Sequence, residues 1–448
     1  MRRLFKGIIF LIVFLLLMFV IVLVLMPDRP CPDRTLLNIT GQVVPDDQNG
    51  FVTLKPLLNI DKEEKLVIDD GIMEKDIRDM ESILEFSRLY ADEVSLIKEA
   101  SKKPYFNYVP VTQLTTMEYY SAGKVTVPDI KNILILARIS LGLSWIDYKN
   151  GELEKSFQGI FDMVRLAQLM RSSQNSLITY AAGVIIMNNA YRSLNYIIED
   201  MPVIPDEFME LIPRLQMAVD DYDGLRWLLE AKCSMSSDLL YSIANGDERL
   251  WDTAADDMEE HRVPPLAKVL FKPGRTVYFV QKYFKSYTGL LGKPFIENEF
   301  KVSPFTSDIS FNSEMRREFL RGNILGWILA TQMATAMFEE LVEKGYYSNY
   351  LNYAMQMKIA LLTYEKDHGV LPETVDDIVP GYLDSIRMDP FDGRPLRYDR
   401  ERAIVYSVGK NCEDFGGVAA QGNPFTVGIN NQKRGTDMVV HLHKEVQD

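Results

Sequence analysis

The sequence predicts an α+β protein, mostly α. It comprises an N-terminal transmembrane helix, an irregular helical-bundle ectodomain with a repeat-like arrangement as the alternative, and a small C-terminal module of a helix plus an antiparallel sheet. Gly7 to Met26 are apolar without a charge or a proline. From Gly71 onward apolar residues recur at three- and four-residue spacing, the signature of amphipathic helices. Beyond Gly369 the helical period gives way to short runs separated by Gly, Pro and Asp, which reads as turns and strands. The expected segments are a cytoplasmic tip and anchor at 1–26, an extended stalk at 27–70, the helical ectodomain at 71–345 and the C-terminal module at 346–448.

The apolar run comes first. At ~1.5 Å rise per residue it just spans a ~30 Å hydrocarbon core. Arg2, Arg3 and Lys6 precede it, whereas Asp28, Arg29, Asp33 and Arg34 follow as a mixed set, which keeps the amino terminus in the cytoplasm. Met26-Pro27-Asp28-Arg29-Pro30 offers no small-residue cleavage site, so a retained anchor is expected rather than a removed signal peptide. The expected location is therefore the inner (cytoplasmic) membrane, single-pass, with the C-terminal bulk in the periplasm or outside the cell. The lipid bilayer is the first expected partner, and envelope proteins are the second.

Composition sets further bounds. The 448 residues leave room for two or three domains, and 49 Lys plus Arg against 63 Asp plus Glu give a net charge of −14. That charge argues against nucleic acid as a partner. Cys31, Cys233 and Cys412 lie far apart and show neither a zinc spacing nor the density of a disulfide scaffold. They read as packing or idle thiols.

Residues 27–70 are rich in Pro, Asp and Asn, hence the expected stalk. Ile77, Met80, Ile83, Leu84, Leu89 and Leu96 predict the first helix of the ectodomain. Pro128-Asp129 opens a second, which ends at Gly151, a residue suited to the left-handed position that closes a helix. Glu152–Met170 follows, and the pair resembles one tetratricopeptide-like hairpin. Further helices are expected near Leu177–Glu199, Asp206–Asp220 and Tyr222–Ala244, without a steady period. Residues 262–310 change character: prolines accompany Lys268, Phe271, Lys272, Arg275, Tyr278, Phe279, Lys282, Tyr283, Phe284 and Lys285. The expectation is a helix with a solvated basic face and an aromatic core face, the alternative being lipid headgroups against that basic face.

Motifs of catalysis are scarce. No GxSxG, P-loop, GxGxxG or HExxH occurs, and four histidines leave few candidate bases. Glu365 and His368 share a helical face and read as a surface pair; His441 and His443 read as a solvated strand end. The acidic runs Asp220–Asp223 and Asp256–Glu260 read as solvated faces.

The tail is richer. A helical stripe through Tyr350, Tyr353, Ala354, Met357, Ile359, Ala360, Leu361 and Tyr364 ends at Asp367-His368-Gly369. Leu371-Pro372, the run Asp389-Pro390-Phe391-Asp392-Gly393-Arg394-Pro395-Leu396-Arg397-Tyr398, and Tyr406-Ser407-Val408-Gly409-Lys410-Asn411 then follow at short spacing. Two strands are expected around Asp399–Arg402, with a third at Met438-Val439-Val440. This series resembles the C-terminal half of the type II secretion major pseudopilins; the likeness covers the module alone. The resemblance implies a structural calcium ion held in the loop after the second strand. It carries over to the Val408 carbonyl, Asn411, Glu413, Asp414 and Asp437, although Asn411 stands where the family has a charged Asp and the stretch from Gly417 to Thr436 is longer. Calcium prefers six to eight hard oxygen ligands, which such loops supply. Ile12 takes the place of the Glu that polymerising pilins carry, and prolines follow the anchor, so polymerisation is not expected. The expected function is a membrane-anchored envelope protein with a helical binding or scaffolding ectodomain and a structural calcium-binding module. The alternative is an accessory component of a type II secretion or pilus-like machine, and an envelope hydrolase is the second alternative; no enzyme activity is assigned.

Overall fold

A computed structural model describes residues 27–30, 44–57, 68–107, 130–172, 177–219, 222–244, 271–297, 336–419 and 436–443, together with Phe14, Met18, Asn323 and Gly326. Within the Gly7–Met26 run only Phe14 and Met18 are described, both helical and exposed; the rest lies outside the described residues, as do Cys31 and Asp256–Glu260. Among the described residues no helix is long and apolar enough to cross a membrane. The architecture is mostly helical with one small three-stranded antiparallel sheet.

Within the segment expected as a stalk, the described residues 44–57 are folded rather than extended. Asp46–Gln48 form a 3-10 turn and Gly50–Leu54 a short helix, α1. The buried Asn49 side chain accepts from the N–H groups of Phe51 (3.0 Å) and Asn107 (2.9 Å) and donates to the Asn107 carbonyl (2.7 Å). These bonds satisfy backbone groups that would otherwise be orphaned at the helix start. They allow Phe51, Leu54 and Leu57 to enter the main core. The polar residues act as caps around an apolar trio, which composition alone does not distinguish from solvated chain.

The helices of the bundle follow the expected order. The first is split at Tyr90 into α2 (Met80–Leu89) and α3 (Ala91–Ser101), and Asp79 caps α2 through the Ser82 N–H and hydroxyl. Then come α4 (Ile130–Lys149), α5 (Leu153–Ser172) and α6 (Leu177–Asp200). Gly151, at φ +80°, turns the chain from α4 into α5. The short connection makes those two an antiparallel hairpin, as expected. The helices that follow, α6, α7 (Leu211–Gln216) and α8 (Asp223–Ala244), are 24, 6 and 22 residues long. Their unequal lengths leave the described bundle without a repeating unit. A Cβ at Gly224 would lie 1.8 Å from the Arg171 carbonyl, so glycine is what lets α8 start against the end of α5. Helix α9 (Pro273–Thr288) packs along α8.

The last helix, α10 (Ala336–His368), starts ahead of Tyr346, so the expected boundary at 345/346 falls inside it. It is buried on all sides from Tyr346 to Leu362, against α6 and α7 on one flank and the sheet on another. The sheet has the order β1 (Arg397–Asp399), β2 (Ile404–Ser407), β3 (Met438–His441), with Tyr398 opposite Val405 and Val405 opposite Val440. Val405 and Val440 face the main core, while Ile404, Tyr406 and Val439 form a small cluster on the other face. This is the two-residue alternation of a pleated strand.

Polar groups on the buried α10 are paired. Asn349 donates to the Tyr222 hydroxyl (2.9 Å), and Asn352 to the Tyr191 hydroxyl (2.7 Å) and the Leu215 carbonyl (2.9 Å). On the sheet side the Tyr350 hydroxyl donates to the Met438 carbonyl (2.6 Å) and Lys358 Nζ to the His441 carbonyl (2.6 Å). From 350 to 358 a helix advances ~12 Å. From 438 to 441 a strand advances ~10 Å. Those lengths match, so two side chains of α10 hold β3 at both of its ends, one at Met438 and one at His441.

Candidate functional site

The Asp389-Pro390-Phe391-Asp392-Gly393 turn is closed by the Gly393 N–H to the Asp389 carbonyl (2.8 Å) and the Asp389 N–H to the Arg394 carbonyl (2.6 Å). Gly393 sits at φ +72°, which a side chain disfavours. Phe391 anchors the turn in the core, its ring 5.6 Å from that of Phe295 and 6.2 Å from that of Tyr346. The Asp389 carboxylate is fully buried. It accepts from the Phe391 N–H (2.9 Å), the Ser407 hydroxyl (2.9 Å), the Val408 N–H (3.1 Å) and Arg397 Nη1 (2.8 Å). Burial pushes this carboxyl up to about 6, against the pull of the Phe391 N–H, the Ser407 hydroxyl and the Arg397 charge. Arg397 also pairs with Asp392 and stands 3.4 Å from Asp414. One guanidinium thus serves three acids, and the cluster reads as a knot between turn, sheet and loop.

The loop after β2 holds the residues carried over for calcium. Val408 is buried, with its N–H on Asp389. The Asn411 side chain accepts from the Glu413 N–H (3.2 Å), and Cys412 takes a left-handed φ of 55°. Asp414 accepts from the Gly416 N–H (2.8 Å). Asp437, 1% exposed, accepts from the N–H groups of Gly417 (2.7 Å) and Phe415 (3.1 Å), and its own N–H reaches the Val418 carbonyl (2.7 Å). Burial raises the Asp437 carboxyl, opposed by those N–H donors. Asp437 is therefore the clamp that closes the loop, while Glu413 and Asp414 keep exposed carboxylates. Among the described residues no three His, Cys, Asp or Glu side chains gather as a metal centre. The donors fit a hard cation in kind, since Val408, Asn411, Glu413 and Asp414 offer only oxygen.

Sequence reasoning missed Lys358. It is fully buried, and Nζ meets Asn195 Oδ1 (2.8 Å), the His441 carbonyl (2.6 Å) and Glu199 Oε1 (3.4 Å). Burial lowers this amine to about 8, against the pull of Glu199. A lone cation inside the run Met355–Leu362 is the signal that marks it. All three N–H bonds of the ammonium have acceptors, so Lys358 ties α6, α10 and β3 together rather than standing ready as a nucleophile. Nearby, Glu199, Val203, Leu362, Glu365, Lys366 and His443 line a cleft of about 500 Å³. There His443 Nε2 lies 3.2 Å from Glu365, so the partner of Glu365 is His443; His368 stacks on Tyr364 with ring centroids 4.0 Å apart. A second cleft of about 330 Å³ holds Asp147 and Lys155, which are paired at 2.7 Å. Comparison with family models, curated proteins and solved structures returns no match.

Proposed function

We propose that the chain is a single-pass, membrane-anchored scaffold of a bacterial envelope. Its helical bundle is the binding platform for envelope partners, and its C-terminal module is a structural unit. One observation carries this reading. Asp28, just beyond the apolar run, accepts from the N–H groups of Gly274 (2.8 Å) and Arg275 (3.0 Å) at the start of α9. The anchor is thereby coupled to the folded body without a free linker, which suits a platform held at a fixed height above a bilayer. Arg at both Phe14 and Leu17 costs ~2.5–3.5 kcal/mol apiece on insertion scales. The double variant is expected to fall from the alkali-resistant membrane fraction into the soluble fraction. A parent chain that is itself soluble after lysis, with its amino terminus beyond Met26, refutes the anchor.

The second reading, an accessory part of a type II secretion or pilus-like machine, draws support from the long helix packed on a three-stranded antiparallel sheet. Crosslinking in intact membranes that recovers secretion-machine subunits favours it over the scaffold.

Calcium belongs to the same proposal, with the Val408 carbonyl, Asn411, Glu413 and Asp414 as ligands and Asp437 as the clamp behind them. At a hundred times Kd, an ion that binds only the folded state adds ~2.7 kcal/mol. The full chain is expected to melt higher in millimolar calcium than in excess chelator, and Asp414→Ala to narrow that gap. Equal midpoints remove calcium and leave the Asp437 clamp as the sole organiser of the loop.

A further inference from the structure

We propose that α9 is a membrane-surface helix, its exposed basic and aromatic face resting on anionic lipid headgroups of the bilayer that the chain's own Gly7–Met26 segment enters. The proposal rests on the anchor reading and goes beyond it by naming the second contact between protein and lipid.

The helix has an unusual charge for this chain. The 16 residues from Pro273 to Thr288 carry Arg275, Lys282 and Lys285 and no acid, within a protein of net charge −14. Its two faces differ. Val277, Val280, Phe284 and Tyr287 are buried in the main core, whereas Tyr278 (43% exposed), Lys282 and Lys285 are exposed at i, i+4 and i+7. That spacing places them in one stripe down the helix.

The location of the stripe follows from what caps it. Pro27, the residue bonded to Met26, accepts from Arg275 Nη2 (3.3 Å), and Asp28 caps the helix as described above. Arg29 lays its guanidinium over the Tyr278 ring, 4.5 Å from the centroid. A Cβ at Gly274 would meet the Arg29 carbonyl at 2.0 Å, so the close seat of Pro27–Arg29 on α9 depends on that glycine. Pro27–Arg29, which follow the apolar run directly in sequence, are therefore held at the first turn of α9, so on the anchor reading the basic stripe starts where the chain leaves the bilayer.

Lipid suits the stripe chemically. Tyr settles at the membrane interface, with its ring in the apolar boundary and its hydroxyl in the headgroup layer. Each Lys or Arg near an anionic leaflet strengthens adsorption about fivefold.

The test uses the full-length chain reconstituted into phosphatidylcholine vesicles, with or without phosphatidylglycerol bearing a photo-crosslinkable headgroup. Flotation reads the anchor, and mass spectrometry of the crosslinks reads the helix. Headgroup adducts are expected between Arg275 and Lys285, well above those around exposed Leu89. The double variant Lys282→Glu and Lys285→Glu is expected to cut them at least about fivefold. Gly274→Ala, which dislodges the seat, is expected to reduce them while flotation persists. A chain that fails to float overturns the anchor and this proposal together. A chain that floats but gives adducts on α9 no higher than at Leu89, or equal in parent and charge-reversed variant, overturns this proposal alone and leaves a solvated basic face.

Discussion

Replacing Lys358 by Met is expected to lower the stability of the folded chain by about 3–5 kcal/mol, the scale of breaking a buried charged pair by removing one partner. The substitution preserves length and apolar volume, so the loss falls on the groups left behind: Asn195 Oδ1, the His441 carbonyl and Glu199. The pH dependence carries the sharper test. Burial holds the folded amine at about 8, well under the ~10.4 of an unfolded lysine. Between those values the unfolded chain binds more protons, so stability rises with pH. Below about 8 both states are protonated and the cost of the buried charge is fully present. As pH climbs past the folded value the cost is relieved, by ~1.36 kcal/mol per unit up to the unfolded value. The stability difference between parent and Lys358→Met, measured by urea unfolding, should therefore widen from pH 7 toward pH 10. A constant difference would mean that this amine is not held in a dry site in the folded protein.

Asp389→Ala is the other large expected effect. The carboxylate serves the Phe391 N–H, the Val408 N–H, the Ser407 hydroxyl and Arg397 at once; its removal takes this acceptor from all four, and of them Arg397 retains Asp392. A buried donor left without a partner costs about 1–3 kcal/mol, so the total is expected to reach about 4 kcal/mol or more. Asp389→Asn should cost less, since its amide oxygen still accepts. Asp414→Ala, on an exposed side chain 3.4 Å from Arg397, should cost less than about 1 kcal/mol when calcium is chelated. Urea unfolding in chelator separates these cases. A loss at Asp389 no larger than that at Asp414 would dissolve the knot.

Local features of this chain were legible from its residues. The helix spans from Ile130 to Asp200, the Gly151 turn, the Asp389–Gly393 turn and the hairpin at Asp399–Arg402 emerge where expected, because each depends on bonds a few residues apart. Hydrophobic period, capping residues and glycine at positive φ are properties of neighbours in sequence. The residues carried over for calcium are neighbours in sequence on the loop after β2, apart from Asp437, whose place depends on β3 joining the sheet.

What only the tertiary structure decided involves partners remote in sequence. Helix α10 is buried all round, so its apolar period carries no direction, and Lys358 reveals its role only when Asn195 and His441 arrive from α6 and β3. The supposed stalk at Asp46–Leu57 is packed because Asn107 supplies acceptors and donors to Asn49 from 58 residues away. Asp28 caps a helix 246 residues downstream. A local pattern states which groups need partners. Which remote group meets that need is set by how the helices close around one core, because a buried polar atom takes whichever complement the packing brings within reach.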